Sequence, residues 1–484
     1  MASADAEKEE TRLLDGQTVR AGGESLPARG GDAGLKTSLT LAAVNFANGV
    51  VGAGIVGLPS AMNQAGLPLG IATCVGVAII SQYTIRLLAT VGIAQGMGSY
   101  LDLAQRAYGP VGFYVCSFFQ AIFAFGAMVT YLIIFKDTMP LVIATTTGRE
   151  TTPGLVLFIT SLFVLLPLSL IRAFGMLARL GVIKALATVL ITFTVCFYAV
   201  GLQGKVESTR SQQWRLLETH PDYFAALGTI SFAFVCHHQT FLVLGSLANP
   251  TPRRFALTTA IAIFGSFALS LTMAVAGYLT FYEDTMGDIF KNYADISDLS
   301  APGLLTTARL LLALNMVITY PGELLVARIT IETVIKRVRS HYRWLALKAP
   351  VHDAYLLARI KDEEEAIEAS SPDNWRFGSP ISRPLLEHVA VTVALVALSC
   401  GVAAGVDDIK PILNITGATA ATFLSFLLPA AIRLRLGATA HDTTPAWHIS
   451  NWAPILTLAF GALAFVTSTG FALASTIFGD ALLA

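Results

Sequence analysis

Eleven apolar stretches, each long enough to cross a lipid bilayer, constrain this chain more than any other feature. They run approximately over 39–65, 68–94, 110–135, 154–172, 178–201, 223–247, 256–281, 303–328, 385–405, 411–434 and 452–477. A crossing takes roughly 20 mostly apolar residues as a helix, because hydrocarbon offers backbone N–H and C=O groups no partners. Pro110–Phe135 and Ile261–Phe281 carry no charge at all. With 13% charged residues and a mean hydropathy of +0.64, the bulk of the chain belongs in lipid. The expected fold class is an all-α polytopic membrane protein with about 11 transmembrane helices.

The distribution of lysine and arginine sets the orientation, since cytosolic loops hold the excess. With the N-terminus inside, 21 of the 32 basic residues fall on the cytosolic side. Only seven lie opposite (Lys136, Arg149, Lys205, Arg210, Arg215, Lys291 and Lys410), while Arg86, Lys184, Arg309 and Arg328 lie within spans. The N-terminus is therefore expected in the cytosol and the C-terminus across the membrane. Residues 1–38 are polar and Gly-rich without a signal-peptide core, and read as a disordered cytosolic tail. Spans 1–5 occupy 39–201, spans 6–10 occupy 222–434 with a cytosolic loop at 331–383, and span 11 occupies 452–477. That loop is too small for a catalytic domain. The acidic loop Tyr282–Ser300 on the other side reads as solvated surface. Basic and acidic residues balance at 32 each, which gives no reason to expect nucleic acid. The five cysteines all fall in apolar stretches and are odd in number, so they read as packing residues.

Within span 1, Asn45–Pro59 reads NFANGVVGAGIVGLP, so that Gly49, Gly52, Gly54, Gly57 and Pro59 interrupt an apolar helix. Freed backbone groups are tolerated at membrane depth only where they face protein or a hydrated cavity, which makes a discontinuous helix a pointer to a binding site. Gly52, Gly54 and Gly57 also satisfy the dinucleotide pattern GxGxxG, but no soluble strand precedes them and the next acidic residue is Asp102, so nucleotide binding is set aside. Small residues spaced for close helix packing are the plainer alternative. In the broken-helix reading, the amides of Gly52, Ala53, Gly54 and Ile55 are free beside a half-helix starting near Leu58. Such an end suits a carboxylate.

An odd number of spans per half makes the halves inverted, which pairs span 6 with span 1. Span 6 carries Cys236, His237, His238 and Gln239 at mid-depth, yet it has no central Gly or Pro to show a break. Adjacent histidines in a span are costly without partners, and two readings stand: a ligand-proximal or proton site, or structural hydrogen bonding. They do not form a metal set, since neighbouring helical positions point about 100° apart. Span 8 carries ITYPGELLVAR, where Pro321 and Gly322 should disturb the helix beside Thr319 and Glu323. Glu323 reads either as a functional intramembrane carboxylate or as an interfacial partner of Arg328.

At these residues the chain resembles the amino acid/auxin permease family, especially its vacuolar and sodium-coupled neutral amino acid transporter branches. The resemblance spans roughly Ser38 to Ser475 and rests on residues 45–70, 99–112, 230–243, 277–293, 318–328 and 415–430 in order. It implies a LeuT-like core of five plus five inverted helices with an eleventh outside the repeat. It also implies a substrate carboxylate at Asn48 and Gly52, Ala53, Gly54, Ile55 and Gly57, and an amino group at the carbonyls of Ser231, Phe232 and Ala233. In sodium-coupled members a cation is held at the positions matching Asn48 and Thr319. If the coupling ion is a proton instead, His237, His238 and Glu323 become the candidates. The expected function is ion-coupled secondary transport of amino acids, with a membrane amino acid sensor as the alternative. No enzyme motif of the HExxH, GxSxG or phosphate-loop kind is present. No cofactor is expected beyond transported H⁺ or Na⁺, and no metal. The bilayer and the amino acid are the expected partners. Glu9, Leu13 and Leu14 resemble an acidic dileucine signal for a sorting adaptor, which favours a vacuolar or lysosomal membrane over the plasma membrane.

Overall fold

Spans that carry glycine, proline and polar side chains have to hide them from lipid, and this requirement sorts the helices into an inner and an outer set. The computed structural model describes residues 37–170, 181–202, 222–294, 296, 300–348, 385–437 and 452–478. Among them ten helices are long and apolar enough to cross a membrane, and a bent pair makes an eleventh. In the apolar stretch of the most polar span, span 6 (Tyr223–Ser246), 94% of the residues are buried inside the protein, whereas in span 4 (Pro153–Leu170) 22% are and most face outward. Spans 3, 8 and 10 join span 6 at the centre, while spans 5, 9 and 11 lie at the periphery. Spans 3 and 8 pack along much of their length.

Span 1 is two helices, 1a (Leu39–Val50) and 1b (Gly54–Ala65), bent by 52°. Half-helix 1b therefore starts at Gly54, earlier than the Leu58 expected, because Gly49 and Pro59 sit inside the two halves without ending them. Span 6 is also broken. Its first half, 6a (Tyr223–Phe234), stops at Val235, whose backbone is extended. A 3₁₀ turn at His237–Gln239 leads into the second half, 6b (Thr240–Ser246). No Gly or Pro causes this break. Side chains in the turn are held by other spans, as described below, and those bonds take the place of a local breaker.

The reverse holds in span 8 (Pro302–Lys348), which continues through Pro321. Proline removes one N–H from the ladder, but at this depth the neighbouring groups have no better partners than each other. The helix also runs past Ile331, so the segment expected as a loop from 331 begins as helix, and 349–384 lie outside the described residues. In span 3 (Tyr100–Thr147) Gly109, with φ of 64°, turns a short surface helix into the membrane-crossing one that begins at Pro110. That left-handed φ is accessible to glycine at little cost.

One strand-like contact ties the ends of the two broken spans together. Thr37 donates its N–H to Ser246 O (2.9 Å) and accepts from Ala248 N–H (3.0 Å), just before 1a and just after 6b. The Thr37 hydroxyl adds a third bond to Ser246 O (3.1 Å).

Candidate functional site

The two breaks meet at mid-depth. A Cβ placed on Gly54 would lie 2.6 Å from Ala233 Cα and 3.2 Å from Ala233 N, so span 1 rests directly on the backbone of 6a. Gly52 packs similarly against the Tyr131 hydroxyl of span 3, and Gly57 against Leu413 of span 10. All residues from Val51 to Ser60 are buried. Among the four amides expected to be free, that of Gly52 is used, donating to Val50 O at 2.9 Å. Ala53, Gly54 and Ile55 stand at the uncapped N-terminal end of 1b, where no helical acceptor exists for their N–H groups. Across from them 6a ends, and the last carbonyls of a helix, here Ser231 to Phe234, lack i+4 donors, although Phe232 O accepts from Val235 N–H at 3.5 Å. Ser231 Oγ is buried there without a hydrogen-bond partner. Positive amide ends thus face negative carbonyl ends, a polarity that matches a zwitterion with carboxylate and ammonium groups.

Beside the breaks, on the side of the N-terminal tail, lies a cavity of about 60 Å³. At about 10–15 Å³ per water it holds a handful of waters. Its lining brings together Asn48 of 1a, Gln239 of span 6 and Thr319 and Glu323 of span 8, with Gly181 and Lys184 of span 5. Asn48 Nδ2 donates to Gly181 O (2.7 Å), and Thr319 Oγ1 donates to Asn315 O (2.7 Å). Glu323 accepts from Gln239 Nε2 (2.8 Å) and meets His238 Nε2 at 3.2 Å, with both His238 and Glu323 side chains almost fully buried. Arg328 reaches Ser169 O (2.9 Å) and Thr392 (3.0 Å), towards spans 4 and 9. His237 is directed elsewhere, its Nε2 lying 2.8 Å from Thr84 Oγ1 of span 2. The two histidines therefore have separate surroundings, and only His238 adjoins the cavity through Glu323.

Lys184 did not stand out in the sequence beyond being a charge within a span. That was itself the available signal, since an intramembrane cation faces protein or water rather than lipid. Gly181, one turn before it, had none.

The opposite side is closed by charge. Lys291 pairs with Asp137 (2.8 Å), Lys136 with Asp407 (3.6 Å), and Arg309 donates to Phe290 O (3.0 Å). The loop expected to be plain solvated surface thus contributes Asp288 and Lys291 to a packed plug. Asp288 caps the short helix Ile289–Asn292 through Phe290 N–H (2.9 Å) and is buried. Burial pushes its carboxyl up to about 7, aided by Asp137 and opposed by the Phe290 bond, Lys291 and Arg309. A carboxyl raised above its unfolded value favours folding at low pH, and that contribution is lost as pH rises from the unfolded to the folded pKa. The melting temperature should therefore carry a component that falls between about pH 4 and 7, and Asp288→Asn should remove it. A variant whose pH profile matches the parent would show that Asp288 does not titrate in the plug.

Two discontinuous spans meeting at mid-depth, a cavity on one side and a plug on the other, define a secondary transporter of the inverted-repeat kind. Residues 35–474 match the family described as transmembrane amino acid transporter protein, and the chain belongs to that family. Among its relatives, a Rattus norvegicus protein provisionally named sodium-coupled neutral amino acid transporter 11 is 29% identical over 470 residues, covering 96% of this chain and 90% of the relative. Vacuolar amino acid transporter 2 of Saccharomyces cerevisiae is 26% identical, covering 83% and 77%. Among solved structures, a mutant of the Eremococcus coleocola manganese transporter superposes with a TM-score of 0.53 at 14% identity, covering 95% and 91%. A closed nucleobase-cation-symport-1 family transporter with bromovinylhydantoin bound gives 0.52 at 13%, covering 92% of both chains. These two share the LeuT-like fold.

Proposed function

We propose that this chain is an ion-coupled secondary transporter of neutral amino acids that works by alternating access in a vacuolar or lysosomal membrane, its N-terminus in the cytosol. The observation that carries the reading is the contact of Gly54 with Ala233, which sets the amide end of 1b against the carbonyl end of 6a. An amino acid's carboxylate suits Ala53, Gly54 and Ile55, and its ammonium suits the carbonyls of Ser231, Phe232 and Ala233. The coupling cation, H⁺ or Na⁺, belongs in the cavity that Asn48, Thr319 and Glu323 line together. With the tail side as cytosol, the cavity opens inward and the ionic plug closes the far side. The names of the relatives support neutral substrates and a vacuolar membrane, and they speak of transport rather than of sensing.

The deciding experiment is uptake of labelled neutral amino acids by the purified protein in liposomes, with a pH or Na⁺ gradient imposed. Folded protein without flux under either gradient would leave the sensor reading in its place. Glu9, Leu13 and Leu14 lie outside the described residues. We assign them to a cytosolic sorting adaptor, so a Leu13→Ala, Leu14→Ala double variant should move to the cell surface. An unmoved variant removes the signal and leaves transport untouched.

A further inference from the structure

We infer that the Lys184 ammonium is a tethered cation taking the place of Na⁺ in the cavity between spans 1, 5, 6 and 8, so that transport is driven by protons bound at Glu323. This rests on the transporter reading above and names the coupling ion.

The cavity that holds the oxygen-bearing side chains Asn48 and Thr319 is also lined by Lys184. Gly181 and Lys184 are three residues apart on span 5 and share a face, and Gly181 O already accepts from Asn48. The lysine thus projects from the part of span 5 bonded to 1a. In so small a space an ammonium and a metal cation would sit within a few ångströms of each other, and like charges poorly screened by water exclude one another. An ammonium brings three N–H donors to the acceptor lone pairs of Asn48 and Thr319, as a metal ion would bring its charge. Glu323 lines the same cavity and supplies the balancing carboxylate.

The groups facing Glu323 are Lys184 from span 5, Gln239, His238 and Cys236 from span 6 and the Tyr131 hydroxyl from span 3, while span 1a has no titratable residue. On span 8 itself, Arg328 extends towards Ser169 and Thr392. A proton taken from water on the plugged side binds a Glu323 carboxylate oxygen and leaves to water in the cavity.

The test uses the full chain in liposomes, with counterflow of labelled amino acid read at zero gradient and accumulation read under a pH gradient. Parent counterflow and accumulation should be unchanged when Na⁺ is replaced by choline. Lys184→Met should lower Na⁺-free accumulation about thirtyfold or more, while Lys184→Arg, which keeps the charge, should retain most of it. Melting temperatures confirm that each variant is folded. Should Lys184→Met fail to fold, the Arg variant and the choline exchange decide alone. Parent flux stimulated by Na⁺, an unaffected Lys184→Met, or a folded but inactive Lys184→Arg each overturns the inference. Parent protein without counterflow overturns the transporter reading along with it, whereas Na⁺-stimulated counterflow overturns this inference only.

Discussion

Gly54→Val is expected to lower amino acid flux about a hundredfold or more and to lower the melting temperature as well. The added Cβ meets Ala233 Cα at 2.6 Å and Ala233 Cβ at 2.8 Å, and backbone cannot rotate aside as a long side chain can. Overpacking of this kind typically costs about 1–3 kcal/mol. The larger effect is on function, because the displaced contact joins the two breaks at which the substrate is proposed to sit. The neighbour of Gly54 in this conformation is the protein itself, so stability falls too. Counterflow and thermal melting on the same preparation separate the two losses, and Gly54→Ala should follow with a smaller one. Normal uptake kinetics in the valine variant would remove the contact between spans 1 and 6 from the transport cycle.

Removing the carboxylate of Glu323 should have an effect of similar size. In Glu323→Ala, Gln239 Nε2 and His238 Nε2 lose their shared acceptor in a buried setting. Breaking a buried pair by deleting one partner costs about 3–5 kcal/mol, a large share of the roughly 5–15 kcal/mol by which folded proteins are stable. Glu323→Gln keeps the volume and one acceptor oxygen, so it should fold. It should lose pH-driven accumulation while retaining counterflow, since exchange at equal pH requires no net proton movement. A Gln variant that still accumulates substrate against its gradient would exclude Glu323 as the proton carrier.

The number of crossings and their approximate limits were legible because hydrophobic length is a local property, written residue by residue into the chain. Span 3 illustrates this: Gly109-Pro110 marks its start in sequence and in structure alike. The break in span 1 was legible for a similar reason, since glycine carries its own conformational signal. The break at Val235–Cys236 was not, because its cause is tertiary: Thr84 and Glu323 hold the turn from spans 2 and 8. Pro321 misleads in the other direction, a local breaker overridden by an environment without competing partners. Pairing across the fold was likewise hidden. Nothing in the order of residues places Lys184 beside Thr319, or Asp137 beside Lys291, over 100 positions away.

The main-chain pairing of Thr37 with Ser246 and Ala248 has a mechanical consequence. It hinges 1a and 6b to one another at their outer ends, so the two act as one crank rather than two independent flaps. In the transporter reading the poles of the amino acid meet 1b and 6a, and 1a and 6b are the other halves of the same two broken spans. A crank moves both of those halves in the same stroke, so the two spans give way on the tail side together rather than one after the other.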